Sequence, residues 1–471
     1  MVAAVNYRIE SDAMGEMRIP TEALWGAQTQ RAILNFPISG IRIPVGVIHA
    51  LGWIKWAYGT VHGMVGEIDE AIGSAVCRAA LDVACGELDD HFPLDVFQTG
   101  SGTSTNMNVN EVIAKRANDY LGSGHATRPP IHPNDVVNRG QSSNDAFPAA
   151  IHIAAVCAIR DHLCPALEGM LAELNRKQDQ FRKVVKSGRT HLQDAAPVTL
   201  GQVFSGYATQ IEKGLKRLDR AIDVLNELPL GGTAVGTGLN RHPDLPGRAI
   251  ELINSRLHTQ FRETENTMEA NASRDSLVEA AGALRTIAVS LVKIGDDIRW
   301  LASGPRDGLG EIRIPAVQPG SSIMPGKTNP VILESLLMVC THVLAGDLAL
   351  VMSGLGSRFE LNMMMPLMAH HFLQSITLLA TAIKNTTDRC LVGIEADTAR
   401  CRTGVSRNLT LATALAPVIG YDRATRISKK AYETGLSIRE IAEQETDLAP
   451  AELDRLLDPM NMTGVPWEGS P

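Results

Sequence analysis

The chain is long, aliphatic and acidic. It has 471 residues, of which 44% are hydrophobic, 20% charged and 4% aromatic, so it is long enough to bury a large core. The formal net charge is −8 at pH 7, which implies no broad basic surface and argues against nucleic acid as a partner. An anionic ligand would be repelled by the whole chain, so it would need a local cluster of cations and amide donors.

Cysteine usage and apolar patterning predict a cytoplasmic protein without a membrane segment. The seven cysteines are scattered and include no CxxC pair, which is typical of reduced thiols in the cytosol. Residues Met1–Pro20 are charged throughout and lack the apolar core of a signal peptide. The longest apolar stretch, Val331–Met352, contains Glu334 and Asp347, so we expect a helix buried in protein rather than in lipid.

Hydrophobic periodicity predicts a mostly α fold built around long helices. Helices are predicted at 48–86, 105–121, 146–185, 331–354 and 366–390. Two further segments have the apolar spacing of helices in a bundle. The first, with steps of three and four, is Ile211, Leu215, Leu218, Ile222 and Leu225. The second, with one step of seven and then steps of three and four, is Leu277, Leu284, Ile287, Leu291, Ile294, Ile298 and Leu301. Strand signals are sparse, and candidate domain boundaries fall near 140 and 395. The tail after residue 446, which is rich in proline, is predicted to be peripheral.

Polar segments rich in Gly, Ser and Thr interrupt the helices at 98–106, 138–145, 188–194 and 304–329. Long irregular connections are uncommon in compact helical proteins unless they are functional. The last of them ends in Gly320-Ser321-Ser322-Ile323-Met324-Pro325-Gly326-Lys327-Thr328-Asn329-Pro330. This segment combines hydroxyls, an amide and a cation. Asn329 is predicted to cap a helix with Pro330 at its first position.

Gly-Lys-Thr also ends a phosphate-binding P-loop. That motif has four residues between its glycines, whereas five separate Gly320 from Gly326, and no strand-like run precedes them. A P-loop is therefore not predicted.

The candidate active-site residues are neutral donors, one ammonium and one imidazole, a set suited to binding a dicarboxylate. They are Thr103, Ser142, Ser143, Asn144, Thr190, His191, Lys327 and Asn329. His191 supplies the imidazole, the kind of side chain that most often exchanges protons in catalysis, and Glu334, in the first turn of the next helix, is placed to orient it. Each residue alone has an ordinary structural explanation, such as a turn or a helix end. No metal-binding motif, GxSxG motif or GxGxxG spacing occurs, so neither a metal nor a cofactor is predicted.

These segments resemble the fumarase/aspartase superfamily over nearly the whole chain, most closely its class II fumarate hydratases. The matching motifs appear in order as Gln98–Asn110, His132–Asp135, Gln141–Asp145, Gly188–Asp194, Gly231–Asn240, Gly320–Pro330 and Phe359–Asn362. Three residues favour fumarase over aspartase: His191 where aspartases usually have glutamine, Ser143 where they usually have threonine, and Gly326 where they often have alanine. The chain departs from the family pattern beside the expected pocket, at Gly140, Ala146, Ala149 and Thr328, which leaves the exact substrate open.

The resemblance implies three mainly helical domains, 1–140, 141–395 and 396–471, the central one a five-helix bundle. It also implies a homotetramer with a twenty-helix core and active sites shared between three subunits. Ser321 would remove the C3 proton of malate, and His191, paired with Glu334, would act on the C2 oxygen through water. The substrate carboxylates would be bound by Thr103, Ser142, Ser143, Asn144, Thr190, Lys327 and Asn329. A second dicarboxylate site would lie at His132, Asn134 and Asp135.

The expected reaction is the reversible hydration of fumarate to malate without a cofactor. Removing a proton beside a carboxylate adds negative charge to that group, which Lys327, Asn329 and backbone donors would stabilise. A lyase that eliminates ammonia or an amine from aspartate or another substituted succinate is the alternative within the superfamily. A catalytically inactive structural homologue is the alternative from another class.

Overall fold

The computed structural model describes residues 6–124 and 130–464, and this part of the chain is mostly helical. Its α-helices are α1 Ala27–Asn35, α2 Val45–Met64, α3 Glu70–Ala84, α4 Thr103–Tyr120, α5 Ser143–Ala158, α6 Cys164–Gln180, α7 Leu200–Leu225, α8 Leu245–Leu257, α9 Thr267–Ala272, α10 Asp275–Leu301, α11 Val331–Gly354, α12 Met365–Arg389, α13 Thr398–Ser406, α14 Ala416–Ile419, α15 Tyr421–Thr434, α16 Ile438–Glu445 and α17 Pro450–Leu456.

Short strands pair into five two-stranded sheets within the described residues. The strands are β1 Tyr7–Asp12, β2 Gly15–Pro20, β3 Val185–Thr190, β4 Gln193–Thr199, β5 Glu227–Leu228, β6 Arg262–Glu263, β7 Ile312–Arg313, β8 Ser357–Arg358, β9 Leu361–Asn362 and β10 Glu395–Ala396. The pairs are antiparallel except β5 with β6, which is parallel.

The mostly α prediction is confirmed, with errors at helix ends. The predicted helices at 331–354 and 366–390 match α11 and α12 to within one residue. The predicted helix at 48–86 is in fact two helices, α2 and α3. The predicted helix at 146–185 is α5 and α6, joined by a π-helical turn at Ile159–Leu163. The β3–β4 hairpin was not predicted, because its sequence is polar and lacks apolar alternation.

The chain divides into two compact units. The first contains the described residues of Met1–Pro165, Lys216–Ala288 and Cys340–Ala380, and the second those of Ala166–Leu215, Val289–Val339 and Thr381–Pro471. The domain boundaries at 140 and 395 stay a prediction.

In the first unit, α2 packs against α3, α5 and α8. Its residues Ile48, Leu51 and Ile54 are almost completely buried. Gly52 lets two backbones approach, because a Cβ at this position would lie 2.6 Å from the backbone nitrogen of Ala84 on α3. Helix α2 also contacts α4, so the helices that carry Thr103 and Ser143 both pack against this apolar helix.

In the second unit, the C-terminal helices form their own hydrophobic cluster. It includes Leu415, Ile427, Ile441 and Leu453, which are at most 1% exposed. Leu453 lies on α17, so the prediction that the tail after residue 446 is peripheral is wrong for this helix. Pro450 is the first residue of this helix, a position at which proline is favoured.

Four long helices, α7, α10, α11 and α12, have 26, 27, 24 and 25 residues. The seven apolar residues predicted to form the buried side of α10 are all at most 7% exposed, which confirms that pattern. On α7, Ile211, Leu218 and Leu225 are buried, whereas Leu215 and Ile222 are half-buried. A stripe of this kind is buried by packing against neighbouring helices.

Helix α11 is apolar and is only partly covered by its own chain. Two helical stretches, Ser143–Gln180 and Val331–Gly354, are long and apolar enough to cross a membrane by length and composition alone. The most apolar window of the first is 56% buried within the protein, and that of the second is 33% buried. The prediction that α11 is buried in protein is therefore met only in part by a single chain.

His152, on α5, is a buried and hydrogen-bonded histidine of the first unit. Its Nδ1 lies 3.2 Å from the carbonyl oxygen of Leu225 and 3.0 Å from that of Glu227, so Nδ1 carries the proton. Its Nε2 then accepts from the Ser276 hydroxyl at 3.1 Å. Burial, with a contribution from Arg274, lowers the pKa of His152 to about 4. The imidazole is therefore neutral in the folded protein at neutral pH.

We predict that His152 makes the fold sensitive to acid. Between pH 6.5 and 4 the unfolded chain binds a proton at His152 that the folded chain does not, so the free energy of unfolding falls as pH falls. In His152→Asn this loss, about 3 kcal/mol, should disappear. Urea unfolding at several pH values, with exposed His162→Asn as the control, measures it. A difference between wild type and His152→Asn that does not change with pH contradicts the prediction.

Candidate active site

In the first unit, three polar segments meet where two helices begin. Thr103 is the first residue of α4, and Ser142 caps α5 by accepting from the backbone N–H of Asn144. The hydroxyls of Thr103 and Ser143 share a hydrogen bond of 2.7 Å. The Asn144 side-chain amide donates to the carbonyl of Ala234 at 2.7 Å. The structure thus brings together four predicted carboxylate-binding residues, Thr103, Ser142, Ser143 and Asn144.

The carboxylate of Asp145 links the beginning of α5 to the segment at residues 231–233. Its carboxylate is completely buried and accepts backbone N–H groups of Ser142 at 3.0 Å, Gly231 at 3.1 Å and Thr233 at 2.9 Å. Burial raises the pKa of Asp145 above its usual value, and the three amide donors partly offset this effect. Sequence reasoning did not identify this residue as functional, because two of its three partners, Gly231 and Thr233, lie 86 and 88 positions away.

Two glycines allow other parts of the unit to approach this site. A Cβ at Gly100 would lie 1.9 Å from the carbonyl oxygen of Met363, and a Cβ at Gly102 would lie 2.3 Å from the Phe147 ring. The Gly100 carbonyl accepts the backbone N–H of Met365 at 3.0 Å. The segment after Phe359 is therefore tied to the loop that carries Thr103.

Of the four residues that depart from the family pattern, two are buried inside the first unit. Ala146 and Ala149 are completely buried, so they pack inside the unit and cannot touch a ligand. Gly140 has φ of +67°, which glycine adopts without strain. Thr328, in the second unit, is exposed on its loop.

In the second unit, Thr190 and His191 lie at the tip of the β3–β4 hairpin. His191 and Leu192 form its two-residue turn, with φ of 54° and 59°. This geometry usually requires asparagine or glycine, and a leucine there carries backbone strain. Leu192 is 69% exposed. The strained tip presents the imidazole to solvent.

A buried ionic group fixes the base of this hairpin. Arg189 donates to both carboxylate oxygens of Glu311, at 3.0 and 2.7 Å, and Lys186 lies 3.2 Å from the same carboxylate. The side chains of Glu311 and Lys186 are each 4% exposed. Burial lowers the pKa of Lys186, and Glu311 partly offsets this. The hydrogen bond to Glu311 raises the pKa of Arg189.

The loop at 320–329, also in the second unit, folds back on itself. The backbone N–H of Gly320 donates to the carbonyl of Lys327 at 2.8 Å, and the Asn329 amide donates to the carbonyl of Gly320 at 2.9 Å. The Lys327 ammonium donates to Asn329 Oδ1 at 2.5 Å. Ser321 Oγ accepts two backbone N–H groups, that of Ile323 at 3.2 Å and that of Met324 at 3.1 Å. Ser321, Lys327 and Asn329 are thus brought together.

The predicted cap of α11 is wrong. Asn329 uses its side chain to close the loop, and the carbonyl of Pro330 accepts the N–H of Glu334 at 3.1 Å. Pro330 is therefore the residue before the first helical turn. Glu334 is half-buried in that turn, as predicted. In the described part of the second unit, no hydrogen bond or ion pair joins His191 to Glu334 or to Ser321.

The segment from His132 to Asp135 is exposed and begins a π-helical turn, Pro133–Val137, in the first unit. His132 Nδ1 accepts the backbone N–H of Asn134 at 3.3 Å and lies 3.2 Å from the carboxylate of Asp135. The side chains of His132 and Asp135 are 56% and 80% exposed. Among the described residues of this unit, no hydrogen bond joins His132 or Asp135 to Thr103 or Ser143.

The group in the first unit offers hydroxyls and an amide, and the group in the second unit offers a hydroxyl, an amide and an ammonium. Each set by itself is suited to binding a carboxylate. Among the described residues, no group of three or more His, Cys, Asp or Glu side chains is placed to hold a metal. The cysteines are all free thiols. The arrangement supports acid–base chemistry on a bound carboxylic acid.

The chain matches two protein-family models, one described as lyase over residues 15–345 and one described as fumarase C C-terminus over residues 411–464. A class II fumarate hydratase of Nitrosomonas europaea is 50% identical over 459 residues, which cover 98% of this chain and 99% of that protein. The solved structure of a class II fumarase from Schistosoma mansoni is 34% identical, with a TM-score of 0.95 and coverage of 98% and 99%. That of fumarate lyase:delta crystallin from Brucella melitensis, bound to cobalt, is 42% identical, with a TM-score of 0.94 and coverage of 97% and 100%.

We predict that Glu311 is required for the stability of the His191 hairpin. Glu311→Gln leaves Arg189 and Lys186 buried without a countercharge, which should lower the free energy of unfolding by about 3–5 kcal/mol. Asp388→Asn is the control, because its ion pair with Lys384 is exposed and should contribute less than about 1 kcal/mol. Urea unfolding measures both, and equal losses would refute the prediction.

Proposed function

The chain belongs to the class II fumarate hydratases of the fumarase/aspartase superfamily, and we propose a serine-based route for the reaction it catalyses. The enzyme is a hydro-lyase that reversibly hydrates fumarate to malate. In the proposed route, Ser321 is the base, Lys327 and Asn329 stabilise the intermediate, and His191 acts on the departing or attacking water.

The observation that carries this proposal is the environment of the Ser321 hydroxyl. A serine acts as a base only if its alkoxide is stabilised. The backbone N–H groups of Ile323 and Met324 both point to Ser321 Oγ, at 3.2 and 3.1 Å. Two fixed donors favour the charged oxygen over the neutral hydroxyl. The loop therefore supplies the stabilisation that a serine base needs.

In the dehydration direction, the Ser321 alkoxide takes the proton from C3 of malate, and the electron pair of that bond moves into the adjacent carboxylate. The resulting aci-carboxylate carries an extra negative charge. Lys327 and Asn329, already adjacent on the loop, are placed to stabilise it. The electron pair then moves from the aci-carboxylate back to form the C2–C3 double bond, while the C2–O bond breaks. His191 protonates the leaving hydroxide through a water, and hydration is the reverse.

The substrate carboxylates bind at the beginnings of helices. Thr103 begins α4, and Ser142, Ser143 and Asn144 lie at the beginning of α5, where the helix dipole favours anions. Thr190 is proposed to contribute from the hairpin. The exposed segment His132, Asn134 and Asp135 is proposed as a second dicarboxylate site.

We propose that the active site is completed by neighbouring chains in a homotetramer. The imidazole of His191 and the carboxylate of Glu334 do not pair within the described chain, so the proposed pair needs a partner subunit. Large apolar side chains are exposed along α10 and α11, among them Trp300 at 55%, Met338 at 67% and Leu348 at 63%. Such a surface favours burial against other copies of the chain. A tetramer whose long helices form the shared core accounts for it.

A cytoplasmic location is proposed on the chemistry of the thiols. All seven cysteines are free, including exposed Cys85, which is typical of a reducing compartment.

We predict that Ser321→Ala and His191→Asn each lower kcat by about 10²–10⁴-fold, because each removes a proton-transfer group. The ultraviolet absorbance of fumarate, followed after malate is added to purified protein, gives the rate. Ser322→Ala is the matched control, since this exposed hydroxyl is adjacent but is assigned no role. Wild-type activity in Ser321→Ala would exclude the serine base. Turnover of aspartate with ammonia release, but not of malate, would reject the hydratase assignment.

We predict that a charge on α11 breaks the assembly. Met338→Glu and Leu348→Glu place carboxylates on its exposed apolar surface, and burying an unpaired charge is costly. Light scattering after size-exclusion chromatography should show species smaller than a tetramer, with loss of activity. Met14→Glu, at an exposed position of the β1–β2 turn, should leave the assembly unchanged. Tetramers in both α11 variants would place the interface elsewhere.

A further inference from the structure

Lys55 is a buried lysine that the proposed route does not use. It lies on α2, is 1% exposed, and its neighbours Leu51, Ile54 and Tyr58 are completely buried. Its ammonium donates to Asn138 Oδ1 at 2.9 Å, and in the described part of the chain it makes no ion pair. A buried cation with one neutral acceptor lowers stability relative to an apolar residue of the same size. Its presence is therefore not explained by the stability of the fold.

The partner of Lys55 connects the two helix beginnings of the candidate site. Asn138 Oδ1 also accepts the Asn106 side-chain amide at 3.1 Å, and Asn106 lies in the first turn of α4. Asn138 Nδ2 donates to the carbonyl of Gln141 at 3.3 Å, directly before the cap of α5. One carboxamide thus links a buried ammonium to both segments that carry the carboxylate-binding hydroxyls.

Among the described residues, no acid forms an ion pair with the Lys55 ammonium. Asp145 is the acid whose field reaches the ammonium, and it already accepts three backbone N–H groups. Burial lowers the pKa of Lys55 to about 7, and the attraction of Asp145 partly offsets this. The ammonium and the two helix beginnings are then positive features joined by one carboxamide, that of Asn138.

We propose that Lys55 is a positioning residue for substrate binding: through Asn138 it holds the first turns of α4 and α5 in place and adds positive charge behind their hydroxyls. The inference rests on the proposed carboxylate-binding role of Thr103, Ser142, Ser143 and Asn144. Lys55 does not touch the substrate in this arrangement. It acts through the groups that do.

The test is Lys55→Met, which keeps the length of the side chain and removes its charge and donors. The KM for fumarate should rise about tenfold or more, because a hydrogen bond to a charged group and its field are lost. The kcat should change less than about threefold, because the lost binding is the same for substrate and transition state. The melting temperature should equal or exceed that of wild type, since a buried charge is removed.

Lys177→Met is the matched control. Lys177 is also 1% exposed, but it lies in the second unit and donates to the carbonyls of Val392 and Ile394 at 2.9 and 2.6 Å. Its loss should lower stability and leave KM unchanged. Asn138→Leu completes a double-mutant cycle with Lys55→Met. If Lys55 acts through Asn138, the effects of the two changes on KM should be far from additive.

A KM within twofold of wild type in folded Lys55→Met overturns the proposal, as do additive effects in the cycle. If Lys55→Met is not soluble, Lys55→Gln, which retains a donor but no charge, takes its place, and an unchanged KM there overturns the role of the charge. Wild type is assayed first. Failure of wild type to convert fumarate rejects the reaction itself, whereas turnover by wild type with an unchanged KM in the variant rejects only the role of Lys55.

Discussion

A substrate with two negative charges has to bind to a chain whose own net charge is −8. The chain meets this constraint with local groups rather than with a basic surface. Hydroxyls and amides at the beginnings of α4 and α5 are neutral donors in places where the helix dipole favours anions. The exposed loop at 320–329 adds the ammonium of Lys327. In the proposed route, proton abstraction next to a carboxylate is feasible because Lys327 and Asn329 stabilise the added charge.

Each unit fixes its reactive segment with a buried carboxylate. In the first unit, Asp145 accepts three backbone N–H groups from two segments and so sets the beginning of α5 against residues 231–233. In the second, the Glu311 carboxylate accepts hydrogen bonds from two guanidinium nitrogens of Arg189. These bonds fix the hairpin whose turn contains His191. Buried carboxylates of this kind hold loops in one geometry, at the cost of sensitivity to the loss of either partner. Lys55 extends the same arrangement in the first unit with a buried cation.

The exposed apolar helices are proposed to form contacts between subunits, whereas the loops carry the candidate catalytic residues. The side of α10 that carries Leu291 is completely buried in its own chain, whereas Met338 and Leu348 on α11 are more than 60% exposed. Phe359, at the tip of a small hairpin beside the loop with Thr103, is 92% exposed. These surfaces fit an enzyme in which subunits complete one another's active sites. The loops supply the chemistry, and the exposed helix surfaces are proposed to bring the loops of different chains together.

Periodicity and glycine-rich motifs are local properties of the chain, so the mostly α fold, the buried stripe of α10 and the polar segments with the candidate residues could be predicted from them. Motifs such as those around His191 and Ser321 also identified the superfamily. The strained hairpin under His191 and the loop that Asn329 closes, instead of capping α11, became visible only in the folded chain. It alone revealed the partners of Asp145, Glu311 and Lys55. Apart from the local bond between Ser142 and Asp145, those contacts join residues 83 to 125 positions apart. Nothing local in the chain specifies which distant groups meet in a buried, weakly screened environment.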